Sequence, residues 1–301
     1  MTRSPGYWRS STARLRVMTD LRALVTSLIG EEVHALQLLG EGSDHLVYEV
    51  NHNVVLRLRK QPDPRGAAAT AREAALLTML AEVSSVPVPS VVALDIGRGA
   101  IVMTKLRGTS LFAAPSRDPM ALCDQLGSFI SNIHGLPLDD VRDVAPRDDT
   151  GLDVFLAEAT KHVPLVAGHL PRGGRRVLET FVSTPPPPRA AMVTFCHNDL
   201  GAEHLLATSE GTVLTGVIDW SDAAIADPAR DLGLIFRDLG RDVAAAVLSL
   251  SDATHADTIW TRAAFYARCA LLEDLAYGLL TPDRRYVEHA LRRFNRTFSD
   301  E

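Results

Sequence analysis

The sequence is short of cysteine and of long apolar runs. Its 301 residues include three cysteines, Cys123, Cys196 and Cys269, which are far apart and lie among apolar residues. This odd, widely spaced set does not indicate a disulfide framework and suits a reducing compartment. No apolar run approaches the roughly 18 residues of a membrane span, and the first residues contain no hydrophobic stretch of a secretory signal. We therefore expect a cytoplasmic protein.

The sequence also lacks an excess of positive charge, since its formal net charge is -6 and no basic stripe stands out. That balance argues against nucleic acid as the main partner. Hydrophobic residues make up 46% of the chain, enough for a sizeable core in one large domain or two lobes. We expect a monomer that binds neither nucleic acid nor a membrane.

The most informative stretch begins with Phe195 and ends with Asp231, and it contains two apolar, strand-like runs. The run that starts at His204 and the run that ends at Asp219 are joined by a turn-forming segment, which predicts a short antiparallel hairpin. In this hairpin His204 lies opposite Val217 or Ile218. Cross-strand neighbours lie about 5 to 8 Å apart, so His204 and Asp219 meet at the open end of the hairpin.

Asp199 precedes His204 by five residues and is expected to approach the same open end. A carboxylate pair with an imidazole suits a divalent cation beside an acid or base. One alternative is a mononuclear metal hydrolase that uses His197, Asp199 and His204. That alternative predicts no nucleotide-binding segment earlier in the chain.

The motif His197-Asn-Asp199, four further residues and His204, followed by Ile218-Asp219, resembles the catalytic loop and metal-binding aspartate of the kinase-like antibiotic phosphotransferases. It is most similar to the aminoglycoside 2''-phosphotransferase and macrolide phosphotransferase branches. The resemblance implies that Asp199 is the catalytic base and that His204 and Asp219 bind Mg²⁺. It also implies that Asp231 braces the catalytic loop from behind.

The resemblance implies an α+β fold of the bilobal protein-kinase-like type, with a small β-rich N-terminal lobe and a larger, mainly helical C-terminal lobe. We place a mobile N-terminal extension at residues 1–18. The nucleotide-binding lobe is expected over residues 19–104, beginning with a short helix from Leu21 to Leu28. The catalytic and substrate-binding lobe is expected over residues 105–301.

In the N-terminal lobe, Gly40 and Gly42 allow the backbone to approach a ligand, and the amides around Ser43 could cover phosphates as a flap. A plain hairpin turn explains the same glycines. Arg57 stands where the resembled kinases carry a phosphate-binding lysine. Glu73 lies on the apolar stripe of a following helix and needs a buried cation, so we predict that it pairs with Arg57, rather than both being separate surface charges.

Three residues at the end of the N-terminal lobe complete the expected nucleotide site. By resemblance, Met103 occupies the gatekeeper position of the last strand. Backbone groups of Thr104 and Leu106 are expected to hydrogen-bond the purine edge. The side chains in this segment do not distinguish ATP from GTP.

The last informative helix, from Trp260 to Leu280, carries the candidate acceptor-binding residues. Tyr266, Glu273 and Tyr277 fall on one face, and Asp274 lies beside Tyr277. In the resembled aminoglycoside branch, acidic residues in this part of the large lobe bind the ammonium groups of the substrate. A solvated helix face explains the pattern equally well.

These residues predict an Mg²⁺-dependent kinase that transfers the terminal phosphoryl group of ATP or GTP to a hydroxyl of an antibiotic, with an aminoglycoside preferred. Several alternatives stay open. The acceptor could be a macrolide or a cationic peptide antibiotic, or a choline-, amino-acid- or sugar-like metabolite. The chain could also be a nucleotide-binding scaffold without activity, since Arg57 and His204 depart from the kinase pattern.

Overall fold

The computed structural model describes residues 11–42, 44–61, 63–251 and 256–299. Ser43, which was predicted to cover phosphates, and residues 1–10 of the predicted N-terminal extension lie outside the described residues. The chain divides into two compact units. The first consists of Met1–Glu82 with Pro89–Leu106, and the second of Val83–Val88 with Arg107–Glu301.

The first unit is built on an antiparallel sheet of five strands in the order β1-β2-β3-β5-β4. The strands are β1 (Leu36–Glu41), β2 (His45–Val50), β3 (Val54–Arg59), β4 (Val91–Asp95) and β5 (Ala100–Thr104), and the helices are α1 (Ser11–Ile29) and α2 (Pro64–Val83). The central strands alternate buried and half-buried residues, as expected for a sheet that packs against a core on one face.

Helix α1 is longer than the predicted helix. It begins at Ser11, ten residues before Leu21, and so includes the second half of the segment that was predicted to be a mobile extension. Leu21 and Val25 are buried in the core of the sheet, and Met18 packs against the same cluster. The polar residues before Leu21 looked like solvated chain, but they continue a helix that this apolar contact already holds.

The second unit is mainly helical. Its helices are α3 (Cys123–His134), α4 (Leu138–Val141), α5 (Leu152–Val166), α6 (Gly174–Ser183), α7 (Ala229–Leu239), α8 (Arg241–Leu250), α9 (Ala256–Leu280) and α10 (Arg285–Phe298). Helix α9 packs against α5, α7 and α10, and α3 packs against α8. Together with the antiparallel sheet of the first unit, these helices confirm the predicted α+β fold. Among the described residues, no helix is both long and apolar enough to cross a membrane.

Short strands in the second unit hold the segment that the sequence singled out. Strand β7 (Thr194–Cys196) pairs with β10 (Ala224–Ala226), and β8 (Leu205–Ala207) pairs with both β6 (Thr109–Ser110) and β9 (Leu214–Val217). Helix α7 follows β10 and is buried on nearly every side. It nevertheless carries Asp231, Arg237 and Asp238, which are buried charges and therefore need close partners.

Candidate active site

The predicted hairpin is present and places its open end as expected. Leu205 of β8 lies opposite Val217 of β9. The Ile218 amide donates to the carbonyl oxygen of His204 over 3.0 Å. His204 and Asp219 therefore leave the two strands at the same end, and the loop between β7 and β8 brings Asp199 to them.

Asp199, His204 and Asp219 converge in the structure. The Nδ1 atom of His204 lies 3.5 Å from Oδ2 of Asp199, and its Nε2 atom lies 3.8 Å from Oδ2 of Asp219. The imidazole is 14% exposed, whereas the Asp199 and Asp219 side chains are 42% and 48% exposed. The two carboxylates are thus accessible to a ligand from solvent, and the imidazole between them is held in place.

Asp231 holds the start of this loop from behind, as the sequence predicted. Its Oδ2 and Oδ1 atoms accept hydrogen bonds from the amides of His197 (3.0 Å) and Asn198 (2.7 Å). His134 contacts the same carboxylate at 3.0 Å. Burial by itself opposes ionisation of Asp231, but the hydrogen bond with His134 and the two amides outweigh it, so the pKa of this carboxyl is lowered. These contacts also hold Asn198 at a positive φ of 70°, a conformation that costs free energy in a residue other than glycine.

His197 is a structural residue of the loop. Its Nε2 donates to the Ile218 carbonyl oxygen at 3.0 Å, and its Nδ1 accepts from the Asp199 amide at 3.3 Å. The side chain is fully buried, and burial lowers its pKa, with a further contribution from nearby His204. Both ring nitrogens are occupied, which argues against the mononuclear hydrolase alternative, because that alternative needs His197 as a metal ligand.

His204 has the tautomer that a metal ligand requires. Its Nδ1 lies 2.7 Å from the carbonyl oxygen of Asp199, which can only accept, so this nitrogen carries the proton. In the neutral ring Nε2 then has a lone pair, and this is the atom nearest Asp219. Burial favours the neutral ring, but the carboxylates of Asp199 and Asp219 outweigh that effect and raise the pKa of His204.

Negative charge is concentrated beside this imidazole. Asp219 has a positive φ of 59°, and its Oδ1 accepts a hydrogen bond of 2.8 Å from the Ser221 hydroxyl. The pKa of Asp222 is raised by burial and then by the charges of Asp199 and Asp219. Asp199, Asp219 and Asp222 thus bring three carboxylates that repel one another close to the imidazole, and a divalent cation would offset this repulsion.

In the first unit, the predicted pair of Arg57 and Glu73 is present. Nη1 of Arg57 donates to Oε1 of Glu73, and its Nη2 lies 3.2 Å from Nδ1 of His45. The two charged side chains are 13% and 14% exposed, so each neutralises the other in a largely dry setting. Gly42 follows the end of β1, in the turn to β2, whereas Gly40 lies within β1, where it pairs with Val47 and the register between the two strands shifts.

A cavity of about 620 Å³ in the second unit contains Asp199 in its wall. All four predicted acceptor-binding residues, Tyr266, Glu273, Asp274 and Tyr277, also line it. The carboxylates in its wall are Glu158, Asp199, Glu203, Asp222, Glu273 and Asp274. Its volume falls within the roughly 300 to 1,000 Å³ of small-molecule sites, so the cavity can hold a drug-sized ligand beside Asp199.

Comparisons with known proteins bear on this site. The sequence profile described as the phosphotransferase enzyme family matches residues 35–266, which is most of the chain. This chain belongs to that family. No curated protein sequence matches the phosphotransferase.

Solved structures of aminoglycoside and macrolide phosphotransferases have the same fold. The GDP and kanamycin complex of APH(2")-IIia has a TM-score of 0.68 and 22% identity, over 92% of this chain and 98% of that chain. The streptomycin-ATP-APH(2")-IIa ternary complex has a TM-score of 0.60 and 17% identity, over 93% and 97%. Macrolide 2'-phosphotransferase MphH from Brachybacterium faecium has a TM-score of 0.62 and 20% identity, over 93% and 98%. At these identities the likeness establishes the fold of the phosphotransferase and leaves its acceptor open.

Sequence reasoning missed the charged network that supports the second half of the loop that carries Asp199. Oδ2 of Asp238 accepts a 2.6 Å hydrogen bond from the Ala202 amide and also binds Arg237 at 2.8 Å. Arg293 of α10 reaches Oδ1 of the same carboxylate at 3.0 Å. The only local signal was the adjacent pair of opposite charges, Arg237 and Asp238, inside an otherwise apolar helix.

Asp274 belongs to this network as well as to the cavity wall. It lies 3.1 Å from Nη1 of Arg237. Burial raises the pKa of Asp274. The charge of Arg237 opposes this rise, and the carboxylates of Asp238 and Glu203 add to it. A positively charged ligand in the cavity would favour the ionised form of this carboxyl, because it would offset both effects.

Aromatic rings form much of the remaining wall of the cavity of about 620 Å³ that contains Asp199. Phe155 meets Tyr266 edge to face at 5.1 Å, and Tyr277 meets Tyr286 at 4.7 Å. The Tyr286 hydroxyl donates to Glu203, four residues after Asp199. Phe155 and Tyr286 were not predicted, because they come from α5 and α10, far from the catalytic motif in sequence.

At the end of β5, the backbone amide of Thr104 already has a hydrogen-bond partner. The Thr104 amide donates to the Ser90 carbonyl oxygen at 2.9 Å, and the Thr104 hydroxyl accepts from the Ser90 amide at 3.0 Å. A purine edge that approaches Thr104 would therefore meet its carbonyl oxygen rather than its amide. Met103 is buried on β5, and Leu106 follows the end of that strand.

Proposed function

We propose that this phosphotransferase transfers the γ-phosphoryl group of ATP or GTP to a hydroxyl of an antibiotic, with an aminoglycoside as the preferred class. The observation that carries the proposal is the position of Asp199. It lies in the wall of a ligand-sized, acidic cavity and, on its other side, beside His204 and Asp219. The acceptor hydroxyl must lie beside the catalytic base and beside the donor phosphates at the same time. The position of Asp199 meets both requirements.

Asp199 would orient the acceptor hydroxyl and take up its proton. Its backbone is fixed at both ends of the loop by the carboxylates of Asp231 and Asp238, while its side chain is 42% exposed. A fixed backbone with an accessible carboxylate suits a group that must hold a substrate oxygen in line with the phosphoryl group.

His204 and Asp219 would hold Mg²⁺. The available Nε2 of His204 and the excess of negative charge at Asp199, Asp219 and Asp222 support this assignment. The cation would neutralise charge on the donor phosphates. An imidazole ligand is less usual for Mg²⁺ than oxygen, so a comparison of Mg²⁺ with Mn²⁺ belongs in the assay.

Arg57 would bind the donor phosphates while Glu73 fixes its orientation. Replacing Arg57 by lysine should raise KM for the nucleotide by about tenfold or more, since an ammonium group cannot bond Glu73 and a phosphate in the same forked geometry. Arg98→Lys is the matched control, because Arg98 is a well-exposed arginine of the same unit. KM values for ATP and GTP that stay the same in Arg57→Lys would contradict the role of Arg57.

The charge of the acceptor cavity favours a cationic acceptor. Its two lining arginines already have carboxylate partners, Arg230 with Asp148 at 3.0 Å and Arg237 with Asp238 at 2.8 Å. Glu158 pairs with Lys161, which does not line the cavity, and the exposed Glu273 and the partly exposed Asp199 leave a net negative wall. Kanamycin and streptomycin, the antibiotics in complex with two of the similar phosphotransferases, are aminoglycosides and so fit this expectation.

A macrolide is the second candidate acceptor, and the aromatic part of the wall favours it. Phe155, Tyr266, Tyr277 and Tyr286 offer apolar surface that a large macrolide ring could cover. A cationic peptide antibiotic would use both properties of the wall. A small choline-, amino-acid- or sugar-like metabolite would fill the 620 Å³ cavity poorly.

Phosphoryl transfer to a panel of acceptors tests the proposal. The purified protein would be incubated with ATP or GTP and Mg²⁺, and with aminoglycosides, macrolides, cationic peptides or small hydroxylated metabolites. Phosphorylated products would be detected by mass spectrometry, and the resistance of a host that expresses the chain would be measured alongside. We expect an aminoglycoside phosphate. Nucleotide binding without transfer to any acceptor would instead favour the inactive scaffold.

A further inference from the structure

A second, smaller cavity lies between the segment that follows β6 and helix α10. Its volume is about 220 Å³, and it shares no lining residue with the acceptor cavity. Three arginines, Arg292, Arg293 and Arg296, line it together with His289, Asp238 and Ser116. Nothing in the proposed phosphoryl transfer uses this cavity.

Positive charge in this cavity exceeds the charge that neutralises it. Three guanidinium groups share one lining carboxylate, that of Asp238, although the whole chain has a net charge of -6. Asp238 pairs with Arg293 at 3.0 Å, but it also binds Arg237 and the Ala202 amide. The carboxylate of Asp238 therefore does not neutralise Arg292 and Arg296 as well.

The other two arginines keep bonding capacity. Nη2 of Arg296 donates to the carbonyl oxygen of Asp238 at 2.7 Å, a neutral partner that leaves its charge uncompensated. Arg292 is exposed and forms no ion pair within the part of the chain that the structure describes. Arg292 and Arg296 can thus bind an anion without breaking an existing ion pair.

His289 adds an independent sign of excess positive charge. Its side chain is only 8% exposed, and its Nδ1 is buried with no hydrogen-bond partner among the described residues. Burial and the charges of Arg293 and Arg292 lower its pKa to about 4. Burial also lowers the pKa values of Arg293 and Arg296, with further contributions from the charges of Arg237 and Arg292 at Arg293 and from the charge of Arg293 at Arg296. An anion in the cavity would relieve this repulsion.

We propose that the cavity binds a phosphate-class anion, either free phosphate or the phosphoryl group of a small phosphomonoester. Forked guanidinium groups match the geometry of phosphate oxygens and bind them with short, charge-assisted hydrogen bonds. Ser116 accepts a 3.2 Å hydrogen bond from the Asp118 amide, so its own hydroxyl proton can be donated to an anion. The cavity is smaller than the roughly 300 to 1,000 Å³ typical of drug-sized ligands, which favours a small anion.

Calorimetric titration of the full chain with inorganic phosphate, and separately with glycerol phosphate, tests the proposal. Sodium chloride would hold the ionic strength constant, because screening alone changes weak anion binding. We expect saturable binding that becomes about tenfold or more weaker in Arg292→Gln. Arg284→Gln, which removes an exposed arginine just before α10, should bind as tightly as the parent chain. Binding of both anions indicates a site open to esters, and binding of phosphate alone indicates free phosphate as the ligand.

The proposed nucleotide site would also attract phosphate. The variant Arg57→Gln distinguishes binding there from binding in the arginine-lined cavity. Phosphate binding that is lost in Arg57→Gln and kept in Arg292→Gln would overturn the proposal, as would the absence of saturable binding. A second measurement on the parent chain does not depend on any variant folding. The ring resonances of His289 should shift on phosphate addition and stay unchanged on chloride addition, and an unperturbed His289 would also reject the site.

Discussion

Replacing Asp199 by asparagine is expected to lower kcat for phosphoryl transfer by about 10² to 10⁴-fold. The amide keeps the size of the side chain and a hydrogen-bonding oxygen, but it cannot take up the proton of the acceptor hydroxyl. Asp199 lies in the wall of the proposed acceptor cavity and 3.5 Å from His204, so it borders both the cavity and the proposed metal ligands. Transfer would be measured with the acceptor that the panel identifies.

The same variant should bind nucleotide nearly as well as the parent chain. The residues proposed to contact the nucleotide are Arg57 and, through the metal ion, His204 and Asp219. None of them is changed in this variant. Asp242→Asn is the matched control, since Asp242 is an exposed aspartate in the first turn of α8. An Asp199→Asn enzyme with undiminished kcat would remove the basis of the proposed mechanism, whatever its affinity for nucleotide.

Asp238→Asn should lower the free energy of unfolding by about 3 to 5 kcal/mol, because it leaves buried cations without their carboxylate. The Asp238 side chain is 2% exposed and serves Arg237, Arg293 and the Ala202 amide. Arg237 would keep Asp274 as a partner, whereas Arg293 would lose the one ion-pair partner that it has among the described residues. Urea unfolding followed by circular dichroism measures the change, with Asp242→Asn again as the control.

The pH dependence of this effect provides a second check. Burial opposes ionisation of Asp238, but the charges of Arg237 and Arg293 outweigh it and lower its pKa to about 2, below the usual 3.8. A group whose pKa is lower in the folded state stabilises the fold above its unfolded pKa, and this contribution is lost as the pH falls through the folded value. The stability difference between the parent chain and Asp238→Asn should therefore be constant near neutral pH and shrink between about pH 4 and pH 2. A difference that is the same at pH 7 and pH 2 would show that the carboxylate charge is not the cause.

Several parts of the site could be predicted because their signals are local. The hairpin that joins His204 to Asp219 follows from two β-rich runs and one turn, so its register could be inferred within a residue. The pairing of Arg57 with Glu73 followed from a single rule, namely that a carboxylate on a buried helix face needs a cation. Both inferences depend on short stretches in which side-chain direction is set by secondary structure.

Other parts depend on contacts that no short stretch contains. His134 binds Asp231 across 97 residues, and Tyr286 binds Glu203 across 83. Helix α1 was predicted too short, because its first residues continue a helix whose apolar contact is made further along the chain, by Met18, Leu21 and Val25. The proposed acceptor cavity combines side chains from α5, α7, α9 and α10 with the loop that carries Asp199, and of these four helices only α9 gave a signal in the sequence.

The sequence by itself determined the family motif, the α+β class, the hairpin and the residues that carry the proposed chemistry, since secondary structure and the spacing of charged groups are local properties of the chain. Only the tertiary structure decided which buried charges support the catalytic loop, what surrounds Asp199 and where three arginines of α10 meet a cavity. The physical reason is that burial and pairing of charges depend on helices that pack together from distant positions, and a carboxylate such as Asp238 has no partner until they do.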